Sequence, residues 1–272
     1  MLDKKKSLIP IAMLIVAIVS WGIKTMLMPA NVAILISKST PIAAKLQNSN
    51  IEKKAQEVTV RILTEAAPGS GVTIWHQGKT YTVLTCQHVV EASKKGSYRV
   101  LLPDGRIYPA RLKSLPKLKG LDLALIEFES ETTYRVSELG DSRKLERDSV
   151  VYASGFPNYH VINRSQIEET INWGRRAFRF TAGKVGLISS QSLPQGYSLG
   201  YTNEVELGMS GGPVFNDKGA LVGINGRLKY PIQGINAFIF ADGTKPSVET
   251  FQKMEALSWA IPIATYQQIA EK

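Results

Sequence analysis

The run Gly208-Met209-Ser210-Gly211-Gly212-Pro213 constrains this chain more than any other stretch. A serine set among glycines and closed by proline suits a sharp turn that pushes its hydroxyl outward. Glycine tolerates the backbone angles such a turn needs, and it lets a substrate carbonyl come close. A serine hydroxyl alone is a poor nucleophile, so the same chain should supply a base and a group that orients the base.

Both are present upstream, in apolar runs that read as strands. His88 follows Tyr81-Thr82-Val83-Leu84-Thr85-Cys86-Gln87, and Asp122 sits in Gly120-Leu121-Asp122-Leu123-Ala124-Leu125-Ile126. The order His, Asp, Ser is one of the convergent orders that build a charge-oriented serine nucleophile. Alone, each residue has a bland explanation: serines are common in glycine turns, an aspartate often caps an apolar run, and a single histidine is usually structural.

Taken together, the three segments resemble those of the trypsin-like serine proteases, and within them the bacterial HtrA-like and cyanobacterial trypsin-like branch. The shared features are a T-x-x-H-V histidine segment, a D-L-A-L aspartate segment and G-x-S-G-G-P around the serine, and the resemblance runs from about Gly69 to Ile263. It implies an all-β fold of two antiparallel six-stranded barrels, which here would follow the N-terminal transmembrane helix that the terminus itself suggests. It also implies an acyl-enzyme mechanism with no cofactor. Ser210 would be the nucleophile, His88 the general base and then acid, and Asp122 the group that fixes the imidazole tautomer. The backbone N–H groups of Gly208 and Ser210 would form the oxyanion hole, where one lost donor costs ~3–4 kcal/mol.

The resemblance extends to substrate binding. Glu204 lies six residues before Ser210, where trypsin carries its acidic specificity residue. That position implies cleavage after lysine or arginine, with two exposed surface glutamates as an equally simple explanation. Leu207 would line the same pocket, and Gly223, Ile224 and Asn225 would offer backbone groups to an extended substrate that adds as a strand. Met209 departs from animal trypsins, which have there an aspartate that pairs with a newly cut N-terminus. A thioether cannot make that ion pair. The form expected is the pair of barrels without a PDZ domain. A catalytically silent trypsin-like fold used as a protein-binding module is the alternative, and Met209 is the feature that favours it.

Composition narrows the remaining classes. The 272 residues can bury a full core, and 44% hydrophobic with 21% charged residues is ordinary globular writing. The net charge is +10, but residues 1–50 carry +5 of it. The mild surplus left on the rest is a solvated surface, so no nucleic-acid partner is expected. With one cysteine, Cys86, no intramolecular disulfide can form. Cys86 reads as a small buried residue beside the histidine segment. His76 and His160 have no acidic or cysteine partners at ligand spacing, so no metal is expected. The partners implied are a protein or peptide substrate and a membrane, and the sequence sets no oligomeric state.

The membrane expectation comes from the N-terminus. Lys4, Lys5 and Lys6 precede a charge-free apolar stretch from Ser7 to Ile23, with further apolar residues after Lys24. This is the pattern of a signal anchor or a signal peptide over residues 1–36. It would hold the barrels on the extracytoplasmic side of a bacterial membrane, periplasmic or lumenal, or release them as a secreted protein if cleaved. Residues 37–53 are polar and read as a spacer. Short apolar or alternating runs broken by turns follow, dividing into an N-terminal barrel over 54–142 and a C-terminal barrel with a terminal helix over 143–272. Ala237–Phe240 reads as one of the strands, and Val248–Leu257 as a helix.

Overall fold

The computed structural model describes residues 41–91, 93, 96–163 and 165–270. The expected anchor over residues 1–36 lies outside them. Among the described residues no helix is long and apolar enough to cross a membrane.

The sequence expectation of a spacer gives way to a helix, α1 (Pro41–Val58). Ile51, Ala55 and Val58 recur at helical spacing and are buried, so a polar composition still leaves one face to pack. Beyond α1 the pattern changes to period two. β1 (Thr59–Leu63), β2 (Gly69–Gln77), β3 (Thr80–Thr85), β4 (Tyr98–Leu101), β5 (Ile107–Lys113) and β6 (Ala124–Glu129) form a closed antiparallel barrel in the order β1-β2-β3-β6-β5-β4. The pairing of Ile62 with Val100 closes it, leaving no free edge. Val60, Ile62, Val72, Val83 and Ile126 are fully buried within the core. The hairpin β2–β3 pairs Gln77 with Thr80 around the two-residue turn Gly78-Lys79.

A second closed barrel has the order β10-β11-β14-β13-β12-β7. Its strands are β7 (Val150–Gly155), β10 (Arg179–Ile188), β11 (Leu199–Tyr201), β12 (Pro213–Asn216), β13 (Leu221–Arg227) and β14 (Ser258–Pro262). Between β7 and β10 a separate two-stranded hairpin, β8 (Tyr159–Asn163) with β9 (Gln166–Glu169), stands outside both barrels. The expected strand at Ala237–Phe240 is instead a 3₁₀ turn over Gly234–Phe238. Its apolar side chains fill a loop: Phe238 packs edge-on against Phe251 of α3 (Val248–Glu255). The described chain closes with α4 (Ile263–Ala270).

The barrels meet through buried polar pairs rather than a purely apolar seam. Thr59 Oγ1 and Ser154 Oγ lie 2.8 Å apart across it. Arg61, fully buried on β1, donates to the carbonyl and hydroxyl of Thr170 at 2.7 and 2.9 Å, at the foot of the β8–β9 hairpin. Burial pushes the Arg61 guanidinium pKa down; a buried cation is tolerable here because it is hydrogen-bonded and lies beside the Phe156 ring.

Candidate active site

The histidine and aspartate segments end in different elements from those expected. His88 stands on a short helix, α2 (Gln87–Glu91), immediately after β3. Asp122 lies two residues before β6 rather than within it. Leaving the strands frees both side chains from the alternation of the pleat, and they turn toward each other. His88 Nδ1 and Asp122 Oδ2 are 2.6 Å apart, and the His88 backbone N–H donates to Asp122 Oδ1 at 2.8 Å. Asp122 is 2% exposed, whereas the His88 side chain is 45% exposed. Of the two, only the imidazole therefore reaches solvent.

Burial pushes the Asp122 carboxyl upward, but hydrogen bonds from His88, the imidazole's charge and the Tyr197 hydroxyl outweigh it. The net result holds this group below the usual carboxylate value. Its tyrosine donor is Tyr197, 75 positions away in sequence.

The serine turn is anchored to both barrels by its backbone. The Ser210 carbonyl accepts the Ser70 N–H at 2.8 Å, and Gly211 N–H donates to the Asn225 carbonyl at 2.8 Å. Gly211 sits against the end of β3: a Cβ there would come within 2.2 Å of the Ser70 carbonyl and 3.0 Å of the Cys86 nitrogen, two residues before His88. Gly208 takes φ +98°, and a Cβ on it would lie 2.4 Å from Asn158 Oδ1 and 2.5 Å from the Phe156 carbonyl. Only glycine meets both demands. Among the described residues, neither Gly208 N–H nor Ser210 N–H is given an acceptor by the surrounding chain. Gly208 itself is buried and Ser210 half-buried.

Met209 is fully buried in the core of the second barrel, and its sulfur accepts the Glu206 N–H at 3.4 Å. The thioether anchors the turn by packing, in place of an ion pair.

The residues expected to bind substrate divide. Glu204 is an exposed side chain, 73% accessible, and its carboxylate lies 2.5 Å from Lys229 Nζ. Leu207 is exposed, with its carbonyl taken by Asn158 N–H at 2.7 Å. Gly223, Ile224 and Asn225 lie on β13 between β12 and β14, paired on both sides, as in Gly223 with Val214 and with Pro262. The Asn225 N–H and carbonyl are both used within the barrel. A groove of about 300 Å³ flanks the histidine helix, lined by Gln87, Glu91, Lys113, Lys119, Leu121 and Leu123.

Cys86 is buried, and its thiol donates to the Asn225 carbonyl at 3.0 Å. Burial and the neighbouring Asp122 charge push the thiol well above its ordinary value, so it is a neutral structural donor. Cys86, His88 and Asp122 offer ligand atoms within 4.8 Å of one another. The Cys86 thiol is held neutral and donates to a carbonyl, and the imidazole Nδ1 is bonded to the carboxylate, so these ligand atoms are already engaged with the chain and with one another.

Two residues at the site had no signal in the sequence beyond their types. Ser70, fully buried, donates its hydroxyl to the Gly208 carbonyl at 2.7 Å and accepts the Phe156 N–H at 2.8 Å. Tyr197 holds Asp122 from behind. Neither residue falls in one of the three motifs that single out His88, Asp122 and Ser210.

Comparison with known proteins shows the family to which the chain belongs. A family model described as a trypsin-like peptidase domain matches residues 69–224. The chain is 29% identical over 191 residues to the serine protease Do-like HtrA of Bacillus subtilis (strain 168), covering 68% of this chain and 39% of that protein. It is 29% identical over 194 residues to a probable periplasmic serine endoprotease DegP-like of Marinomonas sp. (strain MWYL1), covering 69% and 35%. It is 26% identical over 208 residues to the putative serine protease HhoB of Synechocystis sp. (strain ATCC 27184 / PCC 6803 / Kazusa), covering 76% and 40%. The alignments thus cover two fifths or less of the length of these relatives. From the double barrel, the site geometry and the family match together, the chain belongs to the trypsin-like peptidase domain family, on its HtrA-like side.

Proposed function

We propose that this protein is a serine endopeptidase that hydrolyses peptide bonds through Ser210, His88 and Asp122. The observation that carries the reading is the two-point clasp of Asp122 by His88, with the ring exposed and the carboxylate buried. A carboxylate fixed at both oxygens sets the imidazole with Nε2 free to take the Ser210 proton, and stabilises the imidazolium that results. The Gly208 and Ser210 N–H groups would receive the oxyanion of the tetrahedral intermediate. The leaving amine takes its proton from His88, and water then releases the acyl group by the same route.

Cleavage after basic residues would rest on Glu204. Lys229 already answers that carboxylate at 2.5 Å and also donates to the Thr202 carbonyl at 2.8 Å, so recruiting Glu204 to a basic substrate side chain requires displacing Lys229. The binding-module alternative rests on Met209, and its burial in the barrel core gives the methionine a packing role compatible with an active turn.

We would divide the barrels at 142/143, within the short turn Ser142–Lys144 that Asp141 caps in the link between β6 and β7. Residues 1–36 would serve as signal anchor or signal peptide and place the barrels outside the cytoplasm of a bacterium, as their charge and hydropathy pattern supports.

The test is digestion of an unfolded protein by the full chain, with the new termini mapped by mass spectrometry. Cleavage that disappears in Ser210→Ala supports the reading; a folded wild-type protein that releases no peptides refutes it.

A further inference from the structure

The turn before β11 grips Asp122 twice. The Gln195 carbonyl accepts the Asp122 N–H at 3.0 Å, and the Tyr197 hydroxyl donates to Asp122 Oδ2, the same oxygen that receives His88 Nδ1. Tyr197 is 1% exposed. Above its ring lies the Arg227 guanidinium, 4.6 Å from the centroid. Arg227 in turn donates at 3.0 Å to the carbonyls of Ala237 and Pro194, fixing the two loops that flank the tyrosine. The other titratable groups nearby are the Cys86 thiol, 3.8 Å from the hydroxyl, and Tyr201, whose hydroxyl is spent on Asn225 Oδ1.

Room for this hydroxyl is made by one residue of β13. A Cβ on Gly226 would fall 1.8 Å from the Tyr197 oxygen and 2.5 Å from its Cζ. The site thus combines an absent side chain on one strand with a long side chain from a remote turn that fills the vacated space and ends on Asp122.

We propose that Tyr197 is a positioning residue for the hydrolysis, its hydroxyl orienting the Asp122 carboxylate toward His88 while Gly226 leaves it the space. The inference rests on the serine-endopeptidase reading above. Burial, then the nearby Cys86 and Asp122, push the Tyr197 ionisation well above the ordinary phenol value, so the hydroxyl remains a donor throughout the working pH range. A hydrogen bond to an ionised oxygen is stronger than a neutral one, and it draws charge from the atom that also holds the imidazole. Removing it has two consequences. The carboxylate keeps its two bonds to His88 but loses the third hold that sets it from behind, which lowers kcat without touching substrate binding. Oδ2 also becomes a stronger acceptor for the imidazolium, which moves the acid limb of the pH–rate profile to higher pH.

The experiment compares the full chain with Tyr197→Phe and with Tyr152→Phe, which removes another tyrosine hydroxyl, bonded to Asn48, far from Asp122 in the fold. Folding is followed by circular dichroism, kcat and KM by a fluorogenic peptide across pH, and the His88 ring N–H by proton NMR. For Tyr197→Phe the expected result is a kcat loss of roughly tenfold with KM within about twofold. Its acid limb should rise by roughly 0.5 pH unit, and its ring N–H resonance should be displaced. Gly226→Ala, which drives a methyl into the hydroxyl, should move the same limb in the same direction. The proposal is overturned if Tyr197→Phe superimposes on wild type in both pH profile and resonance, or if Tyr152→Phe reproduces its shifts. A wild type without hydrolysis refutes the endopeptidase reading instead, and a resonance that still moves in Tyr197→Phe then leaves the hold on Asp122 standing.

Discussion

His88 holds both oxygens of Asp122, one through its backbone N–H at 2.8 Å and one through its ring Nδ1 at 2.6 Å. The arrangement fixes the tautomer, because Nδ1 must carry its proton to bond an ionised carboxylate. Asp122→Asn puts an amide in that place and can present N–H to the ring, favouring the wrong tautomer. We expect kcat to fall by roughly 10³–10⁴-fold, as for a triad that loses its orienting carboxylate, with the fold retained. Steady-state kinetics alongside circular dichroism check this.

The same carboxyl sets a pH dependence of stability. Its folded-state pKa lies below the ordinary value of 3.8, so the folded form binds its proton less readily than the unfolded chain does. The stabilisation is complete above the unfolded value and is lost as pH falls through the folded one. Calorimetry of wild type and Asp122→Asn should therefore show their difference in melting temperature changing below about pH 4, with wild type losing the more.

Ser70 joins the serine turn to the first barrel through one hydroxyl, giving a proton to the Gly208 carbonyl and taking one from Phe156 N–H. Ser70→Ala strands both buried partners, at a cost of about 1–3 kcal/mol in stability. Because one partner is the carbonyl of Gly208, the glycine proposed for the oxyanion hole, the variant should lose more activity than a comparably destabilised core substitution such as Val60→Ala. Denaturant unfolding paired with peptide hydrolysis separates the two effects.

Lys229 occupies the carboxylate of Glu204. With the lysine in place, wild type should cleave after arginine or lysine no better than after apolar residues. Lys229→Ala frees the carboxylate and should raise cleavage after basic residues several-fold relative to apolar ones, which a peptide library read by mass spectrometry would register. An unchanged ratio would place Glu204 outside the specificity pocket.

Much of this site was legible because its residues fall in short motifs. Glycine at 208 and 211 announces positive backbone angles, while His88 follows one apolar run that marks a strand and Asp122 opens another. Their elements shifted by a few residues, since chemistry here sits at strand ends where the alternation stops. Tyr197 was not legible: it meets Asp122 only through the closure of two separate barrels. Helix α1 was hidden by its polar composition, its apolar face being reduced to a few positions such as Ile51, Ala55 and Val58. The β8–β9 hairpin was hidden for the opposite reason, since Val161, Ile162 and Ile167 are apolar yet exposed. Ala237–Phe240 shows the same ambiguity: a short apolar run packs equally well from a loop.

The central claim is that Ser210 is an activated nucleophile, and covalent labelling of the full chain with a fluorophosphonate probe tests it most directly. The account predicts labelling at Ser210 alone, abolished in Ser210→Ala and strongly slowed in His88→Ala. A folded wild-type protein that takes no label, or one labelled equally fast without His88, would contradict it.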